Sequence, residues 1–271
     1  MEVFGLKSQS LRYKMDGLGS VQMYLTPPPD YFGFALPPTP QQQQHHQLTQ
    51  ATTAMSSSST TPPPRTTLVV GASRGIGMEL AQQLAQQASG QVIASVRSAV
   101  DFGGSPNIRA ITLDQSSAKS IREAAGSVAA LDTLIVNAAI GDDELLLDTS
   151  EERLAEYMDV NVTGVLRIVK AFLPALKARR TRQIVLVSST SGSITRQVNA
   201  KSGLRGPYAV SKAALNMVAV QLHNELHESY GFTVVPIHPG WSAAGILKVV
   251  EKLKPQNSAT FYNYDGTTLP W

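Results

Sequence analysis

The chain has 271 residues, 42% of them hydrophobic and 16% charged, which is enough for one sizeable domain. Its net charge of +3 is spread without a dense basic run, which points away from nucleic acid, and the absence of cysteine removes disulfides, thiol catalysis and cysteine-held metal. No apolar run approaches the ~20 residues that cross a bilayer, and no secretory segment follows Met1, so a cytoplasmic protein free of the membrane is expected.

Residues 1–65 read as a disordered tail. They carry Pro27–Pro29, Gln41–Gln44, Ser56–Ser59 and Pro62–Pro64, and such a stretch buries too little apolar surface to offset its ordering entropy. Met55 offers an alternative start to the chain.

Order is expected from Thr66 onward. Thr67–Val70 reads as a short buried strand, and Gly71-Ala72-Ser73-Arg74-Gly75-Ile76-Gly77 follows directly. Met78, Leu80, Ala81, Leu84, Ala85 and Ala88 then mark one helical face. A strand, a glycine-rich turn and a helix in that order aim backbone N–H groups at a phosphate. Gly71 permits the tight turn, and Gly75 and Gly77 let the backbone approach a pyrophosphate.

Gln91–Val96 is the second strand and ends at Arg97. An acid usually binds the ribose 2′-hydroxyl of NAD about 20 residues past the glycines. Val96 and Arg97 stand there instead, and Arg97 with Arg74 suits a 2′-phosphate, so NADP(H) is expected in preference to NAD(H).

Ile108–Leu113 and Leu131–Val136 continue the pattern, leading to Asp114 and to Asn137-Ala138-Ala139. Alternating strands and helices imply an α/β fold: a three-layer, doubly wound parallel sheet (Rossmann fold) in a single domain over 66–271. Ligands of such sheets bind beyond the carboxyl ends of the strands, where Asp114 and Asn137 fall.

One long helix is expected from Ser150 to Leu176, with Asn161 on its apolar face, where an amide must find hydrogen bonds. Gln183–Val187 is a buried strand ending in Ser188-Ser189, and a hydroxyl at that place faces a ligand or caps a turn. Tyr208 and Lys212 follow on a helix that runs past Leu226 to Gly231, then the strand Phe232–Ile237. Four residues apart, they project from one helical face. Bringing a phenol of pKa ~10 down by about 3 units takes ~4 kcal/mol, about what one ammonium near 4 Å supplies at a surface-like dielectric.

In this order, GASRGIG at 71–77, Asn137-Ala138-Ala139, Asn161, Ser189, Tyr208-x-x-x-Lys212 and Pro239-Gly240 resemble the short-chain dehydrogenase/reductase family over Thr66 to Trp271. The wording around Leu186–Ile194, His238–Trp241 and Tyr262–Gly266 is similar to its C-factor-like and sniffer-like carbonyl reductases. The resemblance implies an enzyme that moves a hydride between NADP(H) and a small-molecule carbonyl or alcohol, with no metal. Tyr208 would be its general acid/base, and Lys212 would lower the tyrosine's pKa and hold the nicotinamide ribose. Ser189 would bond the substrate oxygen, and Asn161 would bind a water that relays protons to Lys212. The cofactor would lie along Gly71, Ser73, Arg74, Gly75, Ile76, Gly77 and Arg97. Asp114 would meet the adenine edge, Asn137 and Ala138 would line the adenine-ribose pocket, and Pro239 and Gly240 would stand at the nicotinamide end. A homodimer or homotetramer stays open.

Two departures from the family pattern stand out. Ser189 and Tyr208 are 19 residues apart, which places extra polar chain around Arg196–Arg205 beside the site. After Gly240 the family's substrate loop is missing, and Trp241 leads straight into the late helix beginning near Ser242. A catalytically weak NADP(H)-binding sensor, or a signalling protein of the same fold, is therefore the alternative.

Overall fold

The computed structural model describes residues 11–15, 21–25, 64–87 and 90–271. The chain divides into two units, residues 1–61 and 62–271. In the first, β1 (Leu11–Met15) pairs antiparallel with β2 (Val21–Leu25), a two-stranded ribbon of the kind that is marginal in water on its own. Of the rest of the expected disordered tail, residues 1–10, 16–20 and 26–63, with Met55, lie outside the described residues, while Arg65, its expected last residue, already belongs to β3.

The second unit is built on seven strands. β3 (Arg65–Val70), β4 (Gly90–Val96) and β5 (Ile108–Thr112) run outward in one direction from the middle of the sheet. β6 (Thr133–Val136), β7 (Gln183–Val187), β8 (Thr233–His238) and β9 (Tyr262–Asn263) run outward in the other. The order is β5-β4-β3-β6-β7-β8-β9 and every pairing between them is parallel. Strand order therefore reverses between β3 and β6, and a crevice opens at their carboxyl ends.

Both sheet faces are covered, so the strands read as near-continuous apolar runs. Period two then sorts the layers. Leu68 and Val70 of β3 face one way and pack with Ile168, Phe172 and Leu215, while Val69 faces the other way with Leu80, Leu84, Ile246 and Val250. The first layer comprises α2 (Ala118–Gly126), α4 (Val165–Lys177) and α6 (Gly206–Tyr230); the second comprises α1 (Gly75–Ala85) and α7 (Ala243–Lys252).

The long helix expected over Ser150–Leu176 forms, with a π-turn inside it. α3 (Glu151–Met158), capped by Ser150, passes into a π-helical turn at Asp159–Gly164 before α4 begins. Gln115, buried against this turn, donates its amide N–H groups to the Val160 oxygen at 2.7 Å and the Ala138 oxygen at 3.0 Å. A π-turn is a rare device that re-aims side chains, and here it carries Asn161. α6 ends, as expected, at Gly231 in the left-handed region (φ 70°).

After β8 the chain turns at once. The Ser242 N–H donates to the Pro239 oxygen at 3.1 Å, and the Ser242 hydroxyl accepts the Gly245 N–H at 3.0 Å, capping α7. Trp241, at the tip of this turn, is 97% exposed.

Candidate active site

The glycine turn is gripped from both sides of the switch point. The Gly71 N–H donates to Ser95 Oγ at 3.0 Å and the Ala72 N–H to the Ser95 oxygen at 2.9 Å. From the other side, Asn137 Nδ2 donates to the Gly71 oxygen at 3.0 Å. A Cβ added at Gly77 would collide with the Gly71 carbonyl and come 2.6 Å from Asn137 Nδ2, so the helix can approach the turn this closely only without a side chain.

α1 begins at Arg74 with no side-chain cap and no acid in its first turn. Its leading N–H groups are left for an anion, and the helix dipole favours one. A cleft of about 940 Å³ opens over this helix start. Gly71, Ser73, Arg74, Gly75, Ile76, Arg97, Asp114, Asn137 and Ala138 all line it, and Trp241 stands at its rim. Gly77 is buried beneath it, and Pro239 and Gly240 lie outside its lining. The Asp114 carboxyl is held below the usual carboxylate range, first by the Ser116 hydroxyl at 2.7 Å and its N–H at 3.0 Å, and further by the Arg97 charge.

Ser189, Tyr208 and Lys212 gather where β7 ends against α6. The Ser189 hydroxyl caps the short turn Thr190–Gly192, accepting the Ser191 N–H at 3.1 Å, and it lies beside the Tyr208 phenol. That turn rests directly on α6, since a Cβ on Gly192 would come 2.7 Å from the Lys212 carbonyl. Ser188 Oγ donates to Asn216 Oδ1 at 2.6 Å, and Asn216 Nδ2 donates to the Gly192 oxygen at 3.0 Å. These buried bonds fix the height of Ser189 against the helix.

The electrostatics differ from the sequence expectation. Lys212 is buried, donates from Nζ to the Val187 oxygen at 2.8 Å, and is pulled by burial from 10.5 to about 7. Tyr208 is raised above the ordinary phenol value, chiefly by burial, with the Ser189 hydroxyl opposing and Tyr157 adding to the rise. So the lysine does not lower the tyrosine here. Its Nζ sits 5.6 Å from the phenol ring centroid and points at a carbonyl, and desolvation leaves it only partly charged near neutral pH.

Asn161 has its side-chain amide occupied by protein partners. Fully buried, it donates to the Ile140 oxygen at 2.9 Å and to Ser211 Oγ at 3.0 Å, and accepts the Ile140 N–H at 2.9 Å. Its side chain braces the loop after β6 against α6 and makes no bond to Lys212. The extra chain before Tyr208 forms the short helix α5 (Ile194–Gln197) followed by irregular backbone, with Asn199 at φ 58°. Ser193 ties that segment to the C-terminal chain by donating to the Pro270 oxygen at 2.7 Å.

The sequence reading missed Gln115, Ser211, Asn216 and His238. His238 ends β8 and accepts the Thr190 N–H on Nδ1 at 3.2 Å. Their common signal is a polar residue beside a motif residue at a strand end or inside the Tyr208 helix. Among the described residues no cluster of three metal-ligating side chains occurs and no helix is long and apolar enough to cross a membrane.

A doubly wound parallel sheet with a glycine cradle at its switch point defines a Rossmann-type fold. The chain belongs to the short chain dehydrogenase family, whose model matches residues 65–254. It is 31% identical over 248 residues to an oxidoreductase of Schizosaccharomyces pombe, covering 75% of this chain and 96% of that one. It is 33% identical over 158 residues to the C-signal of Myxococcus xanthus, covering 52% and 93%. Among solved structures it is similar to the NADPH-bound carbonyl reductase from chicken fatty liver, with a TM-score of 0.70, 28% identity and coverage of 77% of this chain and 100% of that one. A Pseudomonas aeruginosa carbonyl reductase in complex with NADP matches at a TM-score of 0.64 and 30% identity, covering 76% and 100%.

Proposed function

We propose that the chain is an NADP(H)-dependent reductase of small carbonyl compounds, or dehydrogenase of the corresponding alcohols, acting in the cytoplasm. The observation that carries this reading is the placement of Ser189, Tyr208 and Lys212 at the carboxyl end of β7 in a fold whose glycine cradle stands two strands away, after β3. The cradle fits a dinucleotide phosphate. Its glycines exclude side chains, its helix start is free of acid and cap, and exposed Arg74 and Arg97 flank it.

In this reading the α1 N-terminus takes the pyrophosphate, and Arg97 with Arg74 pairs the 2′-phosphate. Asp114 faces the adenine edge, and Asn137 and Ala138 line the adenine-ribose pocket. When bound, NADP(H) supplies or accepts the hydride. Tyr208, kept neutral by burial, gives its proton to the substrate oxygen during reduction, and Ser189 holds that oxygen by a hydrogen bond. Lys212, held by the Val187 oxygen, binds the nicotinamide ribose hydroxyls, and Asn161 keeps the neighbouring loop in register.

A second reading, an NADP(H)-binding sensor or signalling protein with weak turnover, is favoured by the tight Pro239–Ser242 turn. It leaves Trp241 exposed where the family's substrate loop would begin.

Two substitutions test the cofactor assignment. Arg97→Ala removes a charge-assisted contact of about 1.5–3 kcal/mol, so NADPH affinity should fall roughly ten- to 150-fold with NADH affinity little changed. An unchanged preference in a fluorescence titration would refute the 2′-phosphate role. Gly77→Ala should weaken both dinucleotides together by about tenfold or more, because the clash displaces the shared cradle rather than the 2′-phosphate contact.

A further inference from the structure

Eleven residues beyond Lys212, about 16 Å farther along α6, His223 and His227 stand one helical turn apart. Their ring centroids are 4.7 Å apart and the planes are tilted by 31°. Both rings are half-buried and therefore reachable.

Their hydrogen bonds occupy both Nδ1 atoms. His227 Nδ1 lies 2.8 Å from the Phe232 carbonyl oxygen, which can only accept, so Nδ1 carries the proton. His223 Nδ1 lies 2.8 Å from Ser258 Oγ. That hydroxyl accepts the Val234 N–H at 2.9 Å, so an oxygen engages the Nδ1 of each imidazole. Each Nε2 is left open: among the described residues no hydrogen bond reaches either one. Nδ1–H held by an oxygen with Nε2 open is how a metal-ligating imidazole is oriented.

The surroundings agree. The pair sits at the C-terminal end of α6, whose dipole favours a cation. Glu225 is two residues from each histidine and so projects from the other side of the helix, unlike the glutamate of an H-E-x-x-H zinc protease. The pair thus offers two ligands and no general base.

We propose that His223 and His227 form a two-histidine site for a borderline divalent cation (Zn²⁺, Ni²⁺ or Cu²⁺), with water completing the coordination. A bound ion fastens the end of the Tyr208 helix to β8 through Phe232 and to the turn at Ser258, because each imidazole is already tied to one of them.

The test uses the full chain carrying His45→Ala and His46→Ala, which removes the other neighbouring histidines in the sequence. Calorimetric titration should show one equivalent bound, Cu²⁺ tighter than Zn²⁺, and none of Mg²⁺. Adding His227→Gln should weaken binding by about tenfold or more. The electron paramagnetic resonance spectrum of the Cu²⁺-loaded parent should show two nitrogen ligands, a readout that holds even where the variant fails to fold. No saturable binding, a spectrum with fewer than two nitrogens, or full binding by a His223→Gln/His227→Gln chain would overturn the proposal.

Discussion

Replacing Tyr208 with phenylalanine is expected to lower turnover about 100- to 10,000-fold, the range a positioned proton donor supplies, while NADPH affinity stays within about twofold. The ring itself is retained, so its packing against Gly141 and the helix is undisturbed; only the phenol oxygen beside Ser189 is lost. Single-turnover kinetics on a panel of aldehydes and ketones measure the first quantity and a fluorescence titration the second. Turnover that survives the substitution would mean the proton comes from elsewhere.

The second large effect concerns the turn after β8. Inserting a full-length substrate loop from a family member between Trp241 and Ser242 should raise turnover roughly 10- to 100-fold, a modest part of the ~7–11 kcal/mol that orientation can contribute. Cofactor affinity should change little, because the cradle at Gly71–Gly77 lies on the other side of the switch point. The measurement is kcat for grafted and natural chains on the same carbonyl panel. Equal rates would mean that the cleft is already closed during turnover, and the segment from Ile194 to Arg205 would be the element responsible.

The sheet was legible because its signals are local. Thr67–Val70 and Gln183–Val187 are short apolar runs bounded by turn residues, and each is a strand where expected. The glycine turn and Gly231 were legible for the same reason, since a backbone conformation is written in the residue that adopts it. The π-turn inside the Ser150–Leu176 helix was not legible, and the amide that binds its Val160 carbonyl, Gln115, lies 45 residues away. The polarity of the Tyr208–Lys212 pair was equally hidden. Spacing places the two groups on one face, but burial of the lysine and the carbonyl at Val187 decide which way each pKa moves. Asn161 illustrates both limits: its need for partners could be read from the helix pattern, but their identity, Ile140 and Ser211, could not.

The central claim, that this site turns over rather than only binds, is tested most directly by mixing the natural chain with excess NADPH and a reactive aldehyde and following both consumption of NADPH and formation of alcohol. The account predicts equal amounts of the two, accumulating past one turnover per chain and abolished by Tyr208→Phe. Tight NADPH binding with no alcohol formed, even in a single turnover, would contradict it and leave the binding-protein reading in its place.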